Sequence, residues 1–230
     1  MRREFDPQTP EWMDLPQPVS AELEDDLANL RTLNRWFGGI RAVLDPLKSI
    51  LQTRREWSLL DLATGSADIP KAVAQWCRQN AISITIDAVD FQASTLAVAE
   101  TFCGDEANIR FHQADIRTYA RERTWDLVVC SLALHHFSES DAVQILQRAN
   151  ALATQCVIVT DLRRSLLGTL GVDLLTAVWM TAPMTRNDAR ASVRRAFSFS
   201  EFSDLARSAG WLAFEHRRVP TFRQTMILRK

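Results

Sequence analysis

The stretch Trp57-Ser-Leu-Leu-Asp-Leu-Ala-Thr-Gly-Ser-Ala-Asp-Ile-Pro70 constrains the fold more than any other part of this 230-residue chain. Leu59 to Leu62 is a short apolar run of the kind required in a parallel strand covered on both faces, and Asp61 lies near its carboxyl end. Gly65 admits a positive φ and a close backbone approach, and its neighbours Ala63, Ser66 and Ala67 are small. Pro70 is tolerated only in the first turn of a helix. Ile69, Ala72, Val73 and Trp76 then fall at i, i+3, i+4 and i+7, so a helix starts at about Asp68. Strand, small-residue loop and helix in this order aim a helix N-terminus at whatever the loop holds.

Two nucleotide loops are excluded. A P-loop needs G-x-x-x-x-G-K-[ST], and the first lysine after Gly65 is Lys71, which does not follow a second glycine. The dinucleotide fingerprint G-x-G-x-x-G would place glycine where this chain has Pro70. The segment instead resembles motif I of the Rossmann-like, class I S-adenosylmethionine (SAM)-dependent methyltransferases, many of which read DLATGSGDIP. The resemblance implies that Asp61, Ala63, Thr64, Gly65 and Asp68 surround the cofactor SAM. Ala67 stands in place of the last glycine, and its extra methyl is expected to tighten the pocket.

The rest of the chain continues the alternation. Ile82 to Asp90 is a strand ending in an acid 22 residues beyond Asp68, where a carboxylate can accept both ribose hydroxyl protons of a nucleoside. In the methyltransferase pattern this is motif II, which gives Asp90 the ribose and sets Phe91 beside the adenine. A helix over 93–102 and a strand over 109–113 follow. Ala114-Asp115-Ile116 resembles the segment that holds the adenine amino group. The strand Trp125–Cys130 runs into Ser131-Leu-Ala-Leu-His135-His136, and the resemblance puts Ser131 and Leu132 against the cofactor. A helix starting at Ser138 and a strand over 156–160, ending at Asp161, complete five strands with four helices. Right-handed crossovers make such an alternation a doubly wound, mostly parallel sheet. Trp211–Arg218 and Gln224–Leu228 match the antiparallel hairpin that ends the family's seven-stranded sheet.

Two regions stand outside this pattern. Residues 1–56 read as an irregular proline-containing arm, a helix from Ser20 to Phe37 broken at Gly38-Gly39, and a second helix from Ile40 to Arg54 that Pro46 ends or kinks. They precede the sheet, so they read as a lid over its strand ends, ahead of a core over 57–230. Within that core, 163–197 reads as a helical insertion over the substrate pocket. Apolar pairs recur at 166–167, 170–171, 174–175 and 178–179, giving a helix over 166–182, and a loop bearing Arg186, Asp188, Arg190, Arg194 and Arg195 follows. Ser198 and Glu201 form a capping box for a helix that Gly210 closes.

Composition bounds the partners. A net charge of −1 and a pI near 6.4 supply no basic field for nucleic acid. Residues 1–110 hold 11 basic against 17 acidic residues and 181–230 hold 10 against 4, which reads as a solvated surface or as a basic rim to the substrate mouth. Cys77, Cys103, Cys130 and Cys156 show no CxxC or metal spacing, so no metal is expected, and they read as buried thiols of a reducing compartment. The first residues lack an apolar run and 166–183 is interrupted by Asp173, so a cytoplasmic protein without stable membrane insertion, a monomer or homodimer, is expected.

The chemistry follows from what methyl transfer requires. A sulfonium is already activated, so the protein must align the nucleophile and, for a phenol or alcohol, remove its proton. His135, His136 and Asp161 sit at the strand ends where the acceptor belongs. Some small-molecule O-methyltransferases share this leucine-His-His turn, with the first His paired to an Asp ending the fifth strand. The resemblance implies His135 as general base, Asp161 as its orienting partner and His136 as a second candidate. The apolar insertion implies an apolar or aromatic acceptor, with Arg186, Arg190 or Arg195 available to an anionic group. Segments like MTRNDARASVRRAF recur in bacterial methyltransferases associated with polyketide or quinone-like aromatics, the chemistry of secondary metabolism. O-methylation is favoured. A quinone-type C-methyltransferase and a non-catalytic scaffold that kept the fold are the alternatives.

Overall fold

The computed structural model describes residues 1–104, 106–119, 123–178 and 182–230. Its elements in chain order are α1 (Ala21–Trp36), α2 (Gly39–Leu51), β1 (Glu56–Leu62), α3 (Asp68–Gln79), β2 (Ser83–Asp90), α4 (Ala93–Cys103), β3 (Ile109–Gln113), β4 (Trp125–Ser131), α5 (Glu139–Leu152), β5 (Ala153–Leu162), α6 (Leu166–Val178), α7 (Pro183–Arg195), α8 (Phe199–Ser208), β6 (Glu215–Val219) and β7 (Arg223–Arg229). The strands form one seven-stranded sheet of order β3-β2-β1-β4-β5-β7-β6. The first five are parallel, and β7 enters antiparallel between β5 and β6. The order reverses between β1 and β4. Their carboxyl ends therefore diverge into a crevice, where open α/β sheets bind ligands.

Both faces of the sheet are covered, as the unbroken apolar runs in β1, β4 and β5 require. Leu60, Leu62, Val128 and Val157 join Ile145 and Leu146 of α5 and Phe202 and Leu205 of α8 in one cluster. Leu59, Val129 and Ile158 point the other way, into a second cluster with Val73 of α3 and Ala99 of α4. That cluster also contains Val43, Leu47 and Leu51 of α2. The second N-terminal helix is therefore a layer of the sandwich and not a lid, because its apolar stripe matches the sheet face and not the crevice. Pro46 neither ends nor interrupts α2, which runs on to Leu51.

Local signals placed most boundaries. Ser20 caps α1 by accepting from the Leu23 amide, Gly38 breaks the chain at φ +74°, and Ser198 with Glu201 makes the full capping box of α8. The loop expected to carry the arginines is helix α7, with Pro183 in its first turn. Trp211 lies ahead of β6 as a fully buried anchor and not as a strand residue. On α6 the apolar stripe faces outward. Leu166, Leu167, Leu170, Leu174 and Val178 are each about two-thirds exposed, while Gly171, Val172, Leu175 and Thr176 line the crevice. The expected end of that helix, including Trp179, lies outside the described residues.

Candidate active site

A cavity of about 750 Å³ opens at the carboxyl ends of β1, β2, β4 and β5. The loop after β1 forms its floor, and it is tight because three of its five residues are left-handed: Ala63, Gly65 and Ala67 have φ of 57°, 54° and 57°. A side chain on Gly65 would meet nothing within 4 Å, so glycine serves the backbone angle there and leaves open space above the loop. Ala67 carries the same angle with a methyl group. That methyl is fully buried in the core beneath the loop and does not line the cavity, so it does not tighten the pocket.

Acids ring this loop. Asp90 accepts from the Gly65 amide through Oδ2 at 2.8 Å and from the Gln92 amide through Oδ1 at 3.0 Å, which ties the tips of β1 and β2 together. Asp61 is buried, and its Oδ1 has no hydrogen-bond partner. Burial, with the neighbouring Asp68 and Asp90 carboxylates, pushes its pKa up to about 7. Burial also raises the carboxyls of Asp68 and Asp90 above the ordinary range. Asn34 of α1 donates to Asp68 at 3.0 Å and accepts from Arg223 at 3.0 Å, bringing two distant segments to the loop. Two further buried oxygens here, Thr64 Oγ1 and Ser131 Oγ, are also unpartnered. Leu132 and Ile116 line the cavity, and Phe91 stands exposed at its edge.

One sequence-derived segment fits less well. Asp115 borders the cavity, but Arg117 clamps both its carboxylate oxygens at 2.6–3.0 Å, so they are turned to the guanidinium. Ala114 packs against the core and does not line the cavity.

At the other end, His135 and Asp161 meet. His135 Nδ1 donates to Asp161 Oδ1 at 2.6 Å, and the His135 amide donates to Oδ2 at 3.0 Å. With Nδ1 carrying the proton, the ring's lone pair is on Nε2. Asp161 is fully buried and does not line the cavity, whereas His135 does. His136 has a different partner, donating through Nδ1 to Asp14 at 2.6 Å. Burial opposes charge on His136, but the carboxylates of Glu11, Asp14 and Asp161 overcome it and raise its pKa to about 10.

The partners from the N-terminal arm are what the sequence concealed. Glu11 is 2% exposed, accepts from Ser192 of α7 through Oε2 at 2.8 Å, and holds Oε1 4.0 Å from His135 Nε2 and 3.7 Å from Arg195. The carboxylate of Asp188 receives the Trp12 and Met13 amides, each at 2.9 Å, and Arg195 donates to the Thr9 carbonyl. Arg3 donates to the carbonyls of His135 and Phe137. The arm is thus strapped over the histidine turn by α7. Two large apolar residues in the proline-containing stretch, Trp12 and Met13, are the one signal in the sequence that the arm is anchored.

Of the three arginines expected near an anionic acceptor, Arg195 alone lines the cavity. Arg190 is engaged by Thr176 and Asp173, and Arg186 is exposed. Of the basic residues in 181–230, Arg195 and Arg223 reach the cavity, and both are buried.

Residues 59–155 match a family described as a methyltransferase domain. Over those residues the chain matches a methyltransferase domain, and its fold is that of SAM-dependent methyltransferases. Solved structures share its fold. Human N-acetylserotonin methyltransferase in complex with SAM is 16% identical with a TM-score of 0.65, the match covering 90% of this chain and 55% of that one. An O-methyltransferase family 2 protein from Planctomyces limnophilus, in complex with apigenin, is 17% identical with a TM-score of 0.56, over 76% and 50%. DhpI in complex with S-adenosylhomocysteine (SAH) is 17% identical with a TM-score of 0.57, over 91% and 98%. The chain thus spans about half the length of the first two and nearly all of the third. No curated protein matches it significantly in sequence.

The residues around the loop fit the cofactor of this methyltransferase domain. The unpartnered oxygens of Asp61, Thr64 and Ser131 supply polar groups at the loop, Asp90 presents a carboxylate, and Ile116 and Phe91 supply apolar walls for a base. A cationic nucleoside beside them also offsets the burial that raises the carboxyls of Asp61, Asp68 and Asp90. Among the described residues no helix is long and apolar enough to cross a membrane.

Proposed function

We propose that the protein methylates a hydroxyl group of a small, apolar or aromatic acceptor. The observation that carries this reading is the buried His135–Asp161 pair at the cavity wall, with Nδ1 committed to the carboxylate and Nε2 left to the acceptor. Bound SAM supplies a methyl group on a positively charged sulfur. His135 Nε2 takes the proton that the acceptor hydroxyl loses as its oxygen attacks, and Asp161 holds the ring in position and stabilises the imidazolium. Asp90, Asp61 and Thr64 hold the cofactor end and set its distance from the histidine. Leu30 and Leu33 of α1 and the Phe37 that follows it, with Val172 and Leu175 of α6, give the acceptor an apolar enclosure that sheds water. The apigenin bound by the Planctomyces neighbour supports an acceptor of this kind. A lid role for the arm and α1, and a covering role for residues 163–197, belong to the same proposal.

The test is a screen of phenolic acceptors with SAH present, read as a rise in melting temperature, followed by turnover and mass analysis of the product. His135→Ala and Asp161→Asn are expected to lower turnover ~10²–10⁴-fold while leaving SAH affinity intact. If both variants keep near wild-type turnover, the dyad assignment fails. A methyl group found on carbon would overturn O-methylation.

A further inference from the structure

We propose that Glu11, His135 and His136 form a binding site for one divalent transition ion of the zinc class at the wall of the cavity. One ligand atom from each of the three side chains lies within 4.8 Å of the other two. In both rings Nδ1 already donates to a carboxylate at 2.6 Å, to Asp161 from His135 and to Asp14 from His136. The nitrogen that each ring can offer an ion is therefore Nε2, which binds it with loss of any proton it carries. Carboxylates placed behind imidazoles in this way fix the tautomer and orient the ring, as they do behind metal-bound histidines. Glu11 completes the set with its two oxygens in different states. Oε2 accepts from Ser192 at 2.8 Å, while Oε1 is buried, without a hydrogen-bond partner, and 4.0 Å from His135 Nε2.

Ligand chemistry selects the ion. Two imidazole nitrogens and one carboxylate oxygen suit Zn²⁺ and its neighbours, whereas Mg²⁺ and Ca²⁺ take oxygen sets. Charge agrees, since Glu11, Asp14 and Asp161 surround the cluster and the nearest guanidinium, Arg195, stands 3.7 Å from Glu11 Oε1. Ligand bonds of about 2.1 Å in a tetrahedral site put the ligand atoms ~3.4 Å apart, so binding draws the three together by about an ångström. Glu11 can supply that movement because it sits on the irregular arm outside the sheet. All three residues line the cavity, which leaves the remaining coordination position toward its contents.

An ion here takes the Nε2 lone pair that the proposed methyl transfer uses as base, so a loaded protein should turn over more slowly and recover with chelator. The site itself does not depend on that chemistry and is read directly on the metal.

The experiment titrates Co²⁺ into the full chain, expecting one ion per chain, visible ligand-field bands and displacement by Zn²⁺. Glu11→Gln and His136→Gln should each weaken Co²⁺ binding at least ~10-fold, and Asp14→Asn, which removes no ligand, should weaken it ~10-fold. Circular dichroism and SAH calorimetry on each variant establish that it is folded. The proposal is overturned if Co²⁺ gives no bands, or if Glu11→Gln and His136→Gln both bind it as the wild type does. Co²⁺ binding without SAH binding would leave the metal site standing and reject the cofactor reading.

Discussion

Asp90→Asn tests the cofactor end of the site without knowledge of the acceptor. The carboxylate already accepts two backbone amides, at 2.8 Å from Gly65 and 3.0 Å from Gln92, and its remaining lone pairs are those available to a ribose diol. Asparagine has one oxygen to replace two, so one amide proton now faces an NH₂ group and one acceptor for the ribose disappears. A hydrogen bond to a charged group contributes ~1.5–3 kcal/mol, so losing one should raise the Kd for SAH about 10- to 150-fold. Asp90→Ala, losing both, should cost more. The unsatisfied amide should also lower folding stability by ~1–3 kcal/mol, visible in denaturant titration. Isothermal calorimetry with SAH reads the binding effect, and circular dichroism verifies the fold. Should Asp90→Asn bind SAH within ~3-fold of wild type, the acid at the tip of β2 does not grip the nucleoside and the placement of the cofactor is wrong.

Two further outcomes follow from single residues. Ala67→Gly relieves a left-handed backbone worth ~1 kcal/mol but removes a buried methyl worth ~0.8 kcal/mol, so stability should hardly move. SAH affinity should not change, because the methyl lies under the loop, and a large gain in affinity would show that it does narrow the pocket. His216 stacks on Phe199 and bonds Ser203, and burial pushes its pKa down from 6.5 to about 4. Its protonation is harder in the folded state, so its contribution is complete above pH 6.5 and is lost as pH falls from there toward 4. The ring is half-buried, and the effect should be no more than ~1–2 kcal/mol after screening. His216→Phe should flatten urea-derived stability across that window, and an unchanged pH slope in the variant would refute the assignment.

The order of strands and the loop after β1 were legible because each is written locally. Apolar runs in β1, β4 and β5 demand cover on both faces, glycine and alanine permit the left-handed turn, and Ser198 with Glu201 spells out a capping box. The acids at the strand tips follow from position within that alternation, whereas the pairing of His135 with Asp161 was implied by the resemblance to O-methyltransferases. α2 was misassigned because a helix outside the strand–helix alternation can still supply a face of the sheet, and only packing decides which face its stripe meets. The loop expected before α8 is a helix because its polar residues are held by the arm and by Asp173, not by an apolar stripe that periodicity could detect. Glu11 and Asp14 were invisible for the same reason. They stand more than 120 residues from the histidines they face, and no local pattern encodes a strap of chain laid across a site. Sequence alone thus determined the sheet and its acid-lined crevice, since those rest on short-range sterics and burial. Tertiary structure decided what closes the crevice and which carboxylates surround the histidines, since these depend on contacts between segments far apart in the chain.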